Sequence, residues 1–286
     1  MRAALGFLLL VLSCEARPEP PRPCTHWLPP KVMGTLPDEL DEVSGLVASR
    51  RNPGVLWAVE DSGGAPVVFG LDHGGRVVAR LTLRDVVNVD WEALALGPCG
   101  AEQCLFIGDV GDNLAQRDDV AVLRVVEPVL AGTREREVTA ERFPLRYPDG
   151  AQDAEALVVD EGGLPVVFTK RTDGTTRVFR FDALTGETLR ALRNVDTSAN
   201  VEGLPSAVTD ASLWSDGKHL LLRTYGGAWQ FALPGGIDAV ADASGEAVPV
   251  PWEVQGESMA YDPRTGGFWT VSEGRQSALF HVACAE

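Results

Sequence analysis

Five times along the chain a short apolar run begins in the same way. The starts are Ser44-Gly45-Leu46, Glu92-Ala93-Leu94, Glu155-Ala156-Leu157, Asp210-Ala211-Ser212-Leu213 and Glu257-Ser258-Met259, spaced 48, 63, 55 and 47 residues apart. Self-similarity at such a period means that one supersecondary unit is repeated and that neighbouring copies stack to bury their shared faces. Each copy reads as short β-rich runs separated by turn signals such as NPG, SGG, HGG, TDG and SDG, with almost no helical periodicity after residue 40.

The first unit supplies SGLVAS, VLWAVED, PVVFGLD and GRVVARLTL, and the second EALALG, CLFIGDV, VAVLRVV and ERFPLRY. The third gives EALVVD, PVVFTKR, TRVFRFD and ETLRALR; the fourth gives DASLWS, HLLLRTY, AWQFAL and VPVPW. The fifth offers ESMAYD, GFWTVS and ALFHVAC, and the chain then ends one strand short. Four antiparallel strands at this period predict an all-β β-propeller of five four-stranded blades, or six if the long second unit hides another. HWLPPKVMGTL, ahead of the first unit, is placed to complete the last blade and remove a free edge. That closure predicts a disulfide between Cys24 and Cys284, leaving Cys99 and Cys104 to pair across the first hairpin of unit two.

MRAALGFLLLVLSC carries one charge and about ten apolar residues, too few to span a bilayer, and reads as a signal peptide over residues 1–13. Val11-Leu12-Ser13-Cys14 resembles the bacterial lipobox, whose cysteine is diacylated and becomes the first residue, although Val stands where Leu is usual; ordinary cleavage nearby, for instance after Ala16, is the alternative. Acylation of Cys14 leaves four cysteines, an even number suited to an oxidising compartment. Residues 14–23 form a proline-rich tether and 24–286 one propeller domain. The expected location is the bacterial cell envelope, with a lipid-anchored monomer on the exported side. A net charge of −16 argues against nucleic acid and against electrostatic attachment to anionic lipid.

Propeller topology sorts residues by face. If the innermost strand of each blade runs from top to bottom, its start and the end of the second strand meet on the top face. The starts bring Asp90, Glu92, Asp153, Glu155, Asp210 and Glu257 there, with Ser44 in place of the acid in unit one. The ends of the second strands bring Asp61, Asp109, Asp112, Asn113, Lys170, Arg171, Arg223, Tyr225 and Glu273. The tether enters on the other face, so the acidic face should point away from the membrane. Carboxylates crowded around a channel repel one another and lose hydration. Raised pKa values, pairing with Lys170, Arg171 and Arg223, or a bound cation would each relieve this. Oxygen-rich, thiolate-free surroundings suit Ca2+, and GDVGDN, with Asp109 and Asp112, adds an acidic loop of the kind calcium tolerates. In the alternative reading each acid caps backbone N–H groups between neighbouring blades.

EVSGLVASRRNPGVLWAVEDSG, VDWEALALGP, FIGDVGDN, YPDG followed by DAEALVVD, VTDASLWSDGKHLLLRTY and GESMAYDP with VSEG together resemble a family of secreted bacterial propellers, the phytase-like or esterase-like domain. The likeness runs from Glu42 to Gly274. It implies calcium held by acids, casting Glu92, Glu155, Asp210 and Glu257 as metal ligands, and basic anchors for anionic groups, casting Lys170, Arg171 and Arg223 in that role. Ser44 departs from the acidic pattern. No G-x-S-x-G elbow occurs, and none of His26, His73, His219 or His281 falls on the acidic face, which argues against a serine triad. Trp57, Trp91 and Trp269 read as core. Two classes of function follow. One is an anchored, calcium-binding propeller that takes a small or anionic ligand on its acidic face; the other is a calcium-dependent phosphoric-ester hydrolase.

Overall fold

Apolar runs such as Ala154–Val159 and Pro165–Thr169 are buried along their whole length rather than on alternate residues. Continuous burial requires cover on both faces, and stacked blades supply it. In a computed structural model that describes residues 21–132, 134–198 and 205–285, the chain is a five-bladed β-propeller. The signal peptide, Cys14 and most of the tether lie outside the described residues.

The innermost strands are Val43–Ala48, Trp91–Cys99, Ala154–Val159, Val208–Leu213 and Gly256–Tyr261. Each pairs antiparallel with the strand that follows it. The last blade runs Lys31–Thr35, Ala278–Val282, Phe268–Ser272, Gly256–Tyr261, so the N-terminal strand closes the ring as its outermost member. Cys24 and Cys284 are disulfide-bonded beside that seam, and Cys99 bonds to Cys104 across its hairpin.

The long second unit holds no sixth blade. Its excess length reaches back as Glu135–Val138 and adds a fifth strand to blade one, parallel to Val77–Leu83. The outer strand of blade four is Gly245–Val248, earlier than the VPVPW of the sequence reading. Pro249 and Pro251 have no N–H to give a ladder, so pairing stops at Val248.

An apolar cluster fills every junction between blades. Trp57 and Trp91 lie between blades one and two, Phe106 and Phe179 between two and three, and Leu222 and Phe231 between three and four. Met259 and Phe268 lie between four and five, and Trp269 packs between five and one, so the three tryptophans are core. Towards the bottom, Val47, Leu94, Leu157 and Leu213 leave a void of only about 30 Å³. The central channel is therefore narrow at that level.

Candidate functional site

Every innermost strand carries one register shift near its top end, leaving an extra residue against its neighbour. The extra residues are Ser44, Glu92, Glu155, Thr209 and Glu257. A β-bulge re-aims a side chain, and here five equivalent bulges frame the channel mouth. The fourth position is Thr209, not Asp210 as the repeat alignment had it. A slip of one residue moves a side chain to the other face of a strand. Asp210 is accordingly fully buried between blades four and five, where its carboxylate accepts the N–H groups of Ala211 and, at 2.6 Å, Met259. At this residue the interblade cap is realised. The signal was present in the sequence: Val208-Thr209-Asp210 matches Val43-Ser44-Gly45 when the small hydroxyl, rather than the acid, is aligned.

The two hydroxyls do the same work. Ser44 Oγ donates to Trp91 O at 2.6 Å, and Thr209 Oγ1 donates to Gly256 O at 2.8 Å, each linking its blade to the next. A glutamate at that position has no proton to give when ionised. Glu92, Glu155 and Glu257 are left as the acids of the mouth.

Glu155 is buried and forms an ion pair with Lys170, whose ammonium also lies 5.5 Å from the centre of the Tyr225 ring. Burial disfavours the Lys170 charge, but the Glu155 carboxylate outweighs it and raises the lysine pKa. Glu257 accepts a 2.7 Å hydrogen bond from Tyr225 and lies against Glu273, which burial and then Glu257 push up to about 8. Burial and the neighbouring Asp61 push Asp90 up to about 7. Glu92 is 6 % exposed, and its carboxylate accepts no hydrogen bond among the described residues. Burial and the charge of Glu155 hold its pKa well above the ordinary range.

Asp61, Asp90 and Glu92 form the tightest group, with one carboxylate oxygen from each lying within 4.8 Å of the others. Three elements build it: the end of the second strand of blade one, the connection into blade two, and the bulge of blade two. Gly111 comes so close that a Cβ there would sit 2.6 Å from Asp90 Cγ and 2.7 Å from Glu92 Cγ. A side chain there would displace both carboxyls, which favours the glycine in GDVGDN.

The rest of GDVGDN folds on itself. Asp112 accepts the N–H groups of Gln116 and Arg117, while its own N–H donates to Asp153 at 2.9 Å. Asp109 accepts from Arg117 at 2.8 Å and from the backbone of Asp90. Arg117, not singled out from the sequence, thus ties the loop to the carboxylates. Asn113, Asp153, Lys170 and Arg171 line an open depression of about 410 Å³ beside the mouth, and Arg171 pairs with Asp173 there. Arg223 is not on the face. Its guanidinium is buried between blades four and five, bonded to Glu253 at 2.7 Å and Thr270 at 2.9 Å. The backbone reason is Gly256, where a Cβ would lie 1.6 Å from Arg223 Nη2.

Seven carboxyl groups, Asp61, Asp90, Glu92, Asp153, Glu155, Glu257 and Glu273, therefore act on one another across the mouth, and Lys170 is the cation paired within it. Oxygen donors without thiolate, three of them converging, fit a hard divalent cation.

No family model matches the chain, and no curated protein matches it. Solved structures do. The PQQ-bound form of aldose sugar dehydrogenase from Streptomyces coelicolor is 10% identical over 92% of this chain and 99% of that one, with a TM-score of 0.51. A glucose dehydrogenase is likewise 10% identical over 90% of this chain and 100% of that one, with a TM-score of 0.51. At that identity the likeness is one of fold, and it agrees with the propeller.

Proposed function

We propose that this chain is an exported, lipid-anchored propeller of the phytase-like or esterase-like kind that holds Ca2+ at Asp61, Asp90 and Glu92 and uses its top face to bind a small, anionic ligand. The single observation that carries this reading is Glu92, a buried carboxylate without a hydrogen-bond donor, aimed into a cluster with Asp61 and Asp90. Such a carboxyl either keeps its proton or, once ionised, is paired or coordinates a metal. Three carboxylates offer up to six oxygens, in keeping with the six to eight that calcium takes. A bound divalent cation would offset part of the surplus charge and present a positive centre to an anion, with Lys170 and Arg171 at the side of the depression. Glu155, Glu257, Asp109, Asp112 and Asp210 serve as the supporting frame through the contacts described above.

Two disulfides indicate an oxidising compartment, and no helix among the described residues is long and apolar enough to cross a membrane. Cys24 N–H bonds to Gly266 O on the bottom face, so the chain enters opposite the carboxylates. That supports an anchor at Cys14 with the acidic face directed outward. Partition of the wild-type protein into detergent, lost in Cys14→Ser, tests the anchor.

The function is tested by thermal melting with and without calcium. At a hundredfold excess over Kd, binding to the folded state contributes about 2.7 kcal/mol, or about 5–10 °C in Tm for a domain of this size. An unchanged Tm after chelation would rule the metal out. The hydrolase reading has Lys170 and Arg171 as anchors once Arg223 is buried. Calcium-dependent release of phosphate from an ester, abolished in Glu92→Gln, would favour it over simple binding.

A further inference from the structure

Ten large apolar side chains are exposed among the described residues, and none lies between residues 130 and 251. Five sit on three top-face connections that border the mouth. Val87 and Val89 flank Asn88, whose amide donates to Asp61 O at 2.7 Å. Leu114 tips the loop held by Asp112. Trp252, 83 % exposed, and Val254, 74 % exposed, belong to the connection that enters blade five, where Gln255 Nε2 donates to Glu273 at 2.6 Å. Among the described residues, the tops of blades three and four carry no exposed large apolar side chain. Scattered exposed apolar residues need no explanation, whereas a grouping around one functional mouth does.

We propose that the top face in the sector of blades five, one and two docks a protein segment in which a Lys or Arg is flanked by apolar side chains. The cation meets Glu257 and Glu273 beneath the Trp252 loop, and the apolar neighbours cover Trp252 and Val254 on one side and Val87 on the other. Charge complementarity selects this occupant, since neither carboxyl forms an ion pair with a cation among the described residues, and opposite charge meeting them gives register and orientation. Tryptophan is enriched among the few residues that dominate interface energetics. An anionic bilayer is disfavoured by the same carboxylates, and the chain enters on the opposite face. A second copy would bring acid against acid. An incoming cation would favour the ionised form of Glu273, now pushed up to about 8 by burial and Glu257, with its proton passing to solvent. This goes beyond the calcium reading and uses carboxyls outside the Asp61, Asp90 and Glu92 cluster.

The test is selection of phage-displayed random twelve-residue peptides on the intact protein, once in EDTA and once in calcium. Enriched peptides should carry Lys or Arg within two residues of an aliphatic or aromatic residue. A synthetic copy should bind Trp252→Ser and Glu257→Gln each at least about tenfold more weakly. Trp252 is exposed, so its variant keeps the wild-type Tm. Asp61→Asn should lose the calcium shift in Tm yet keep the peptide, which separates the two proposals. Absence of enrichment, enrichment of acidic peptides, or binding indifferent to both variants overturns the proposal. Preferential binding to phosphatidylglycerol vesicles, or self-association abolished by Trp252→Ser, assigns the face elsewhere and overturns it too.

Discussion

Asp90 and Asp61 lie carboxyl to carboxyl across the junction of blades one and two, with the buried Glu92 carboxylate within 4.8 Å. Burial and then the Asp61 carboxyl raise the cost of ionising Asp90. The apoprotein therefore keeps protons at this mouth that the unfolded chain would have released.

The sign of the pH dependence follows. Asp90 at about 7 and Glu273 at about 8 both lie above ordinary carboxylate values, so the folded state binds more protons than the unfolded state from about pH 4 to about pH 8. Stability is fully supported below that window and falls as pH rises through it. Melting curves in EDTA should give a Tm that declines from pH 5 to pH 9, with added calcium opposing the decline at the alkaline end. A Tm that rises over this range contradicts the crowding of unpaired carboxyls.

Asp210 is expected to matter for folding more than for binding. Asp210→Ala leaves the Ala211 and Met259 N–H groups buried without an acceptor, at roughly 1–3 kcal/mol each. Urea unfolding should show about 2–5 kcal/mol lost, while the calcium-induced shift in Tm survives. Loss of the shift with unchanged stability would return Asp210 to the metal site.

Much of this architecture is legible in the sequence because a propeller is local: each hairpin announces itself by apolar runs and glycine turns, and the short last unit asks for an N-terminal strand. The faces of Asp61, Asp90 and Glu92 follow from strand direction alone. Their convergence does not, since it depends on a bulge that shifts register by one residue and on which blades adjoin. The same bulge explains why Asp210 aligned as a mouth acid and folded as an interblade cap. Arg223 reads from the sequence as an exposed strand end. Only the packing of Glu253 and the missing side chain at Gly256 turn it inward.

Gly256→Ala tests that packing directly. The added methyl would occupy the place of Arg223 Nη2 and separate it from Glu253. Breaking a buried ion pair costs about 3–5 kcal/mol, so a comparable loss is expected in urea unfolding. Arg223→Met with Glu253→Leu should recover much of it, since an apolar pair of similar volume removes both charges. Near-wild-type stability of Gly256→Ala would show that the guanidinium moves aside without loss.

The seam predicts unequal disulfides. Cys24 and Cys284 are 260 residues apart and close the ring, whereas Cys99 and Cys104 close a loop of 5. Chain entropy puts the first near the top of the roughly 0–5 kcal/mol range and the second well below it. Paired Ser replacements followed by urea unfolding should reproduce that order, and equal losses would argue against ring closure as the source.

Calcium titration of wild type and Glu92→Gln, followed by melting at pH 8, tests the central claim most directly. Removing the unpartnered charge should make the metal-free variant more stable than metal-free wild type, and should abolish the rise of about 5–10 °C that calcium gives the wild type. A variant that is less stable without metal, or that still gains the full calcium shift, would contradict the account.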